Sequence, residues 1–180
     1  MKIAVIGYSG SGKSTLARTL AAGYGIEVLH LDRVHWLPGW NVRSAEEKLR
    51  IVEEFLDSHD AWVIDGTYRK LYEARRMEEA DLIVELLFGR LACYSRARRR
   101  WKRYRGKSRP DMGEGCEEKF DFAFVKWIFW KGRTKDIRAH YREIAERYPA
   151  KTVVIRNQRE LDRFTEEQQR KFLFSEEKQT

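Results

Sequence analysis

Gly7-Tyr8-Ser9-Gly10-Ser11-Gly12-Lys13-Ser14 matches G-x-x-x-x-G-K-[ST] at every specified position. Before it, Lys2 to Ile6 is a short apolar, β-branched run that reads as a buried strand. After it, Thr15 to Ala22 reads as a helix. Glycines at 7, 10 and 12 allow backbone torsions closed to other residues, so successive N–H groups can converge on phosphate oxygens. The following helix directs its positive dipole end at the same anion. Gly7, Ser9, Gly10, Ser11, Gly12, Lys13, Ser14 and Thr15 are therefore the expected nucleotide-phosphate contacts. Lys13 is expected on the β and γ oxygens and the Ser14 hydroxyl on Mg²⁺.

Downstream, the first helix is expected to end near Gly23 and Gly25, and Ile26 to Leu31 reads as a second strand with Asp32 at its carboxyl end. In an open parallel sheet ligands sit outside the carboxyl ends of the strands, so Asp32 is either a site residue or a turn cap. Arg33 to Arg43 reads as a loop, whose Trp36 and Trp40 either line a pocket or, in the commoner role of tryptophan, pin the loop to the body. Ser44 to Glu47 has the form of a capping box, opening a helix with Leu49, Val52, Phe55 and Leu56 on its apolar face and an end near Ser58.

Ala61 to Ile64 is a third strand running into Asp65-Gly66-Thr67-Tyr68-Arg69. A carboxylate there can hold Mg²⁺ or its waters, and Arg69 can reach a substrate phosphate. A helix from Arg69 to Glu79 leads to a fourth strand, Asp81 to Phe88; a helix from Arg90 to Arg105 then meets the Gly- and Pro-rich stretch 106–115. Phe120 to Tyr148 reads as a long helix with a break at Gly132, its aromatics, Phe124, Trp127 and Trp130 among them, assigned mainly to the core. Thr152 to Ile155 is the fifth strand, Leu161, Phe164 and Phe172 belong to terminal helices, and Ser175 to Thr180 is a polar, frayed end. Alternating strands and helices imply an α/β fold with a parallel sheet covered on both faces, a single domain over 1–180.

The charge is concentrated. Of 36 Lys and Arg, ten lie between residues 90 and 109, where there is no Asp or Glu; the other 26 face 28 acidic residues, so one segment makes the chain basic. A basic helix followed by a Gly/Pro loop has the character of a lid, spanning about 98–118, that brings guanidinium groups onto a transferring phosphoryl group and excludes water. The same cations could grip nucleic-acid phosphates. Two cysteines, Cys93 and Cys116, are too few for a disulfide framework or a zinc site, and no apolar run reaches membrane-spanning length. A cytoplasmic protein, a monomer or homodimer with no membrane partner, is expected.

Small size, a carboxylate after the third strand and an Arg-rich lid resemble the nucleoside monophosphate kinases, adenylate kinases in particular. Leu31 to Trp36, Trp62 to Arg69, Arg105 to Met112 and Glu114 to Lys119 look like the bacterial adenylate-kinase-like proteins named for DNA topology modulation. That resemblance implies five parallel strands in the order 2-3-1-4-5, an ATP site, and phosphoryl transfer from ATP·Mg²⁺ to a small nucleotide- or nucleoside-like acceptor. It places Asp65 on the Asp of the adenylate-kinase Asp-Gly turn and Arg69 on the Arg that holds the acceptor's phosphate, although Thr67-Tyr68 replaces Phe-Pro between them. Arg99 and Arg109 become the leading donor-phosphate clamps, ahead of Arg96, Arg103, Arg133 and Arg138. Asp32 would orient or deprotonate the acceptor hydroxyl beside Trp36. A nucleic-acid-associated regulator that binds ATP and uses the basic segment is the alternative function.

Overall fold

The computed structural model describes residues 1–113 and 115–176. Five parallel strands, β1 (Lys2–Gly7), β2 (Glu27–His30), β3 (Trp62–Asp65), β4 (Leu82–Leu86) and β5 (Thr152–Ile155), form one sheet in the order β2-β3-β1-β4-β5, the expected 2-3-1-4-5. Ile3, Ala4, Val5 and Ile6 of the central strand are fully buried, with Ala4 in register with Ile64 on one side and Ile83 on the other. Helices flank this sheet, so a strand at its centre is covered on both faces and reads as a continuous apolar run. Each buried Ile contributes about 1.5–3 kcal/mol by leaving water. Parallel pairing brings the strands' carboxyl ends, Gly7, His30, Asp65 and Leu86, to one edge.

Eight α-helices connect and follow these strands among the described residues: α1 (Lys13–Tyr24), α2 (Leu31–His35), α3 (Ala45–Ser58), α4 (Glu73–Glu79), α5 (Arg90–Tyr104), α6 (Phe122–Phe129), α7 (Lys135–Arg147) and α8 (Gln158–Glu176). Ser175 and Glu176 of the expected frayed end are helical, because α8 continues through Glu176, and residues 177–180 lie outside the described residues. The second strand stops at His30, so Asp32 sits in the first turn of α2 and not in a turn behind a strand. The stretch 33–43 is ordered as well. After α2, Trp36–Leu37 pairs antiparallel with Asn41–Val42 across a 3₁₀ turn, Pro38–Trp40, making a small hairpin. At α3, the Ser44 hydroxyl accepts from Glu47 N at 3.1 Å, but the Glu47 carboxylate turns to Arg43.

Two further expectations change. The helix read from Arg69 begins at Glu73, because Arg76 is wholly buried and donates to the carbonyls of Leu71, Gly66 and Tyr68, drawing the chain ahead of it into a turn. Burial lowers the Arg76 pKa to about 10. The long helix is interrupted as the glycine suggested: α6 ends at Phe129, a 3₁₀ turn covers Lys131–Arg133, and Thr134 caps α7. The aromatics of α6 are not mainly core. Phe124 is half-buried and Ile128 buried, whereas Trp127 and Trp130 are 44% and 63% exposed. A two-turn helix against α5 buries only its i, i+4 stripe, here 124 and 128, and rotates 127 and 130 away.

Candidate active site

The phosphate loop joins β1 to α1 as its sequence demands. Gly7 and Gly10 have φ of 136° and 78°; a Cβ on Gly7 would lie 2.3 Å from Leu86 O, and one on Gly10 2.6 Å from Cys93 O. The loop is thus pressed between β4 and α5, and only glycine fits at those points. Lys13 Nζ donates to Tyr8 O at 3.1 Å, and Gly7 N donates to Thr67 Oγ1 at 3.2 Å, joining the loop to the turn after β3. Tyr141 donates its phenol to Thr67 Oγ1, stands edge-on to Tyr8 at 5.3 Å, and has its pKa raised above the ordinary tyrosine range, chiefly by burial.

Around this loop opens a cleft of about 1630 Å³. It is lined by the loop residues Gly7, Ser9, Gly10, Gly12, Lys13, Ser14 and Thr15 together with Asp32, Trp36, Asp65, Arg69, Arg99 and Arg109, whereas Ser11 of the loop is wholly buried and stays out of the lining. Their environments differ. Asp65 is buried and Oδ2 is 2.9 Å from Nδ1 of buried His30, while its buried Oδ1 has no hydrogen-bond partner among the described residues. His30 escaped the sequence reading; its only signal is its place at the end of β2, in register with Asp65.

No cluster of three or more His, Cys, Asp or Glu suited to a metal occurs among the described residues. Mg²⁺, however, needs only one or two protein oxygens when phosphates and water complete its octahedron. The orphaned Asp65 Oδ1 and the cleft-lining Ser14 hydroxyl fit that requirement.

Asp32 Oδ1 accepts from the Tyr68 phenol at 2.6 Å. Burial, then the Asp32 charge, holds Tyr68 well above the ordinary tyrosine range, so the phenol stays a donor to Asp32. His35, Tyr68, Trp36 and Trp40 continue this wall as rings in contact, with centroids 5.0, 4.6 and 5.3 Å apart along the chain Tyr68–His35–Trp36–Trp40. Burial lowers the His35 pKa and keeps the imidazole neutral near pH 7. Arg69 is exposed at the rim. The tryptophans serve both roles offered by the sequence: they line the cleft, and Trp40 Nε1 donates to Glu117 O at 3.2 Å.

The segment after α5 packs onto that hairpin. Gly39 N donates to Gly115 O at 3.0 Å and Cys116 Sγ to Leu37 O at 3.2 Å. Its centre is a buried charge network: Arg109 lies 2.6 Å from Asp111 and 2.5 Å from Glu118, Arg18 reaches Asp111 at 2.9 Å, and Arg100 reaches Glu118 at 2.8 Å. Arg109 is therefore spoken for by two carboxylates, while Arg99 and Arg103 are exposed on the cleft. Arg96 touches the phosphate loop itself, donating to Ser11 O at 2.5 Å with its guanidinium 4.0 Å over the Phe88 ring. Arg133 lies 3.8 Å over Tyr8 and donates to Phe88 O.

No protein-family model matches this chain, and no curated protein does. Among solved structures it is similar to a gluconokinase from Sinorhizobium meliloti 1021, at 18% identity, over 98% of this chain and 94% of that one, with a TM-score of 0.50. It is also similar to a sugar kinase from Janibacter sp. HTCC2649, at 16% identity over 96% and 92% of the two chains, TM-score 0.48. A third likeness, to an uncharacterized protein from Eubacterium ventriosum ATCC 27560, has 20% identity, covers 57% of this chain and 63% of that one, and has a TM-score of 0.40. With that gluconokinase the chain shares its α/β fold. Among the described residues no helix is long and apolar enough to cross a membrane.

Proposed function

We propose that this chain is a phosphotransferase that moves the γ-phosphate of ATP·Mg²⁺ to a small nucleotide- or nucleoside-like acceptor. The observation that carries the reading is the single cleft in which a phosphate loop faces a carboxylate, Asp32, held by a phenol donor. Lys13 and the loop amides neutralise the β and γ phosphates, Ser14 and Asp65 hold Mg²⁺, and the ion supplies charge neutralisation at the transferring phosphoryl. Asp32 takes or orients the proton of the acceptor hydroxyl, Trp36 and its neighbouring rings give the acceptor a flat apolar face, and Arg69 meets an anionic substituent. Residues 98–118 act as the lid. Arg99 is its free clamp, and Arg109 reaches phosphate by exchanging its carboxylates for the ligand's oxygens. The adenylate-kinase-like subtype and the likeness to the topology-modulation proteins rest on the motifs quoted above.

Screening nucleosides, nucleotides and hydroxylated sugar acids for acceptor-dependent ADP release tests the proposal, with one class expected to raise release well above the acceptor-free rate. ADP release equal with and without every acceptor would overturn it. One observation favours the nucleic-acid reading: Arg98, Lys102 and Arg103 of α5 are exposed. If they grip a duplex, binding must weaken steeply with salt and with reversal of those charges.

A further inference from the structure

Trp127 of α6 is hydrogen-bonded to the phosphate loop. It is 44% exposed, yet it lines the cleft and its Nε1 donates to Ser9 Oγ at 3.1 Å. The chain makes room for this contact. A Cβ on Gly132 would lie 2.8 Å from Trp127 Nε1 and 2.9 Å from its carbonyl oxygen, so only glycine in the 3₁₀ turn lets the indole lie where it does. The donor and acceptor of this bond are 118 residues apart and come from different layers of function. Ser9 belongs to the loop that holds the donor phosphates, and α6 directly follows the lid segment, whose far end is already attached to the acceptor hairpin.

Resting on the kinase reading above, we infer that Trp127 is a positioning residue that seals the phosphate loop against water through its hydrogen bond to Ser9. With the indole in place, bulk water is kept from the γ-phosphorus until an acceptor hydroxyl occupies the cleft. Without it, a water oxygen bonds to the γ-phosphorus, the bond to the β,γ-bridging oxygen breaks, and ADP, inorganic phosphate and a proton to solvent result.

The test measures acceptor-free ATP hydrolysis and ATP binding, with ATP·Mg²⁺ as the probe, for the full chain and for Trp127→Phe, Ser9→Ala and the double variant. Trp127→Phe keeps a ring but removes the donor. The expected result is a hydrolysis rate raised about fivefold in each single variant, the rate equivalent of one neutral hydrogen bond, with the double variant no faster than the singles. A merely structural defect lowers turnover, so a rise separates the two roles. Unchanged or lowered hydrolysis in Trp127→Phe, or effects that multiply in the double variant, would overturn the inference while leaving the kinase reading intact. A wild-type chain that binds no ATP·Mg²⁺ would overturn both, and the binding titration distinguishes that outcome from the first.

Discussion

On the proposed reading, the donor and acceptor ends of the cleft are built in opposite ways. The donor end is contiguous chain, eight residues whose backbone geometry does the work, with glycines forced by the close approach of Leu86 and Cys93. The acceptor end is assembled from α2, the hairpin, the turn after β3 and the segment after α5, and its groups are side chains oriented by other side chains. A site built from backbone depends first on its glycines, and only then on a few side chains such as Lys13 and Ser14. A side-chain site can be retuned one residue at a time, which suits an end proposed to select its acceptor.

Substitutions at the two ends should separate cleanly. Lys13→Ala is expected to weaken ATP·Mg²⁺ binding and turnover by roughly a thousandfold, since a charged donor to the transferring phosphoryl is lost. Asp32→Asn should leave ATP affinity unchanged within about twofold and lower kcat by roughly a hundred- to thousandfold, the range for a lost general base. Calorimetric ATP titration beside a turnover assay reads both. Loss of ATP binding in Asp32→Asn would break the division into two ends.

The arginines of the lid sharpen the contrast next. Arg109→Ala leaves Asp111 and Glu118 with one cation each, Arg18 and Arg100, and should lower stability by about 3 kcal/mol. Arg99→Ala removes an exposed cation, leaves stability within about 0.5 kcal/mol, and should lower kcat about tenfold. Urea unfolding of the two variants compares them directly, and equal midpoints would mean that the network contributes nothing.

A pH-dependent effect concerns carboxylates of the sheet. Asp65 has His30, whereas Glu85 of β4, 1% exposed, has an Oε1 with no hydrogen-bond partner among the described residues. Burial pushes the Glu85 pKa up to about 8, so the folded chain holds a proton that the unfolded chain releases near the ordinary value of 4.5. Its contribution to stability is therefore full below 4.5 and declines as pH rises toward 8. Glu85→Gln should be more stable than wild type at pH 8.5 by on the order of 4 kcal/mol, with most of the gap gone at pH 5. Thermal unfolding at the two pH values checks this, and a pH-independent gap would count against a buried proton.

Local chemistry determined everything that depends on neighbours in sequence: the phosphate loop, the five strands, the break at Gly132, and the concentration of cations between residues 90 and 109. These follow from periodicity, from glycine torsions and from the loss of helix-forming freedom at glycine, all properties of a few consecutive residues. Tertiary structure alone decided which charges are free. Arg99 and Arg109 have the same chemistry in the sequence, and only folding places two carboxylates against one of them. It likewise joined His30 to Asp65, Tyr68 to Asp32 and Trp127 to Ser9, pairs 35, 36 and 118 residues apart. The first two pairs form because parallel strands deliver distant residues to one edge of the sheet, the third because α6 packs beside it, and no local pattern records which side chains will meet there.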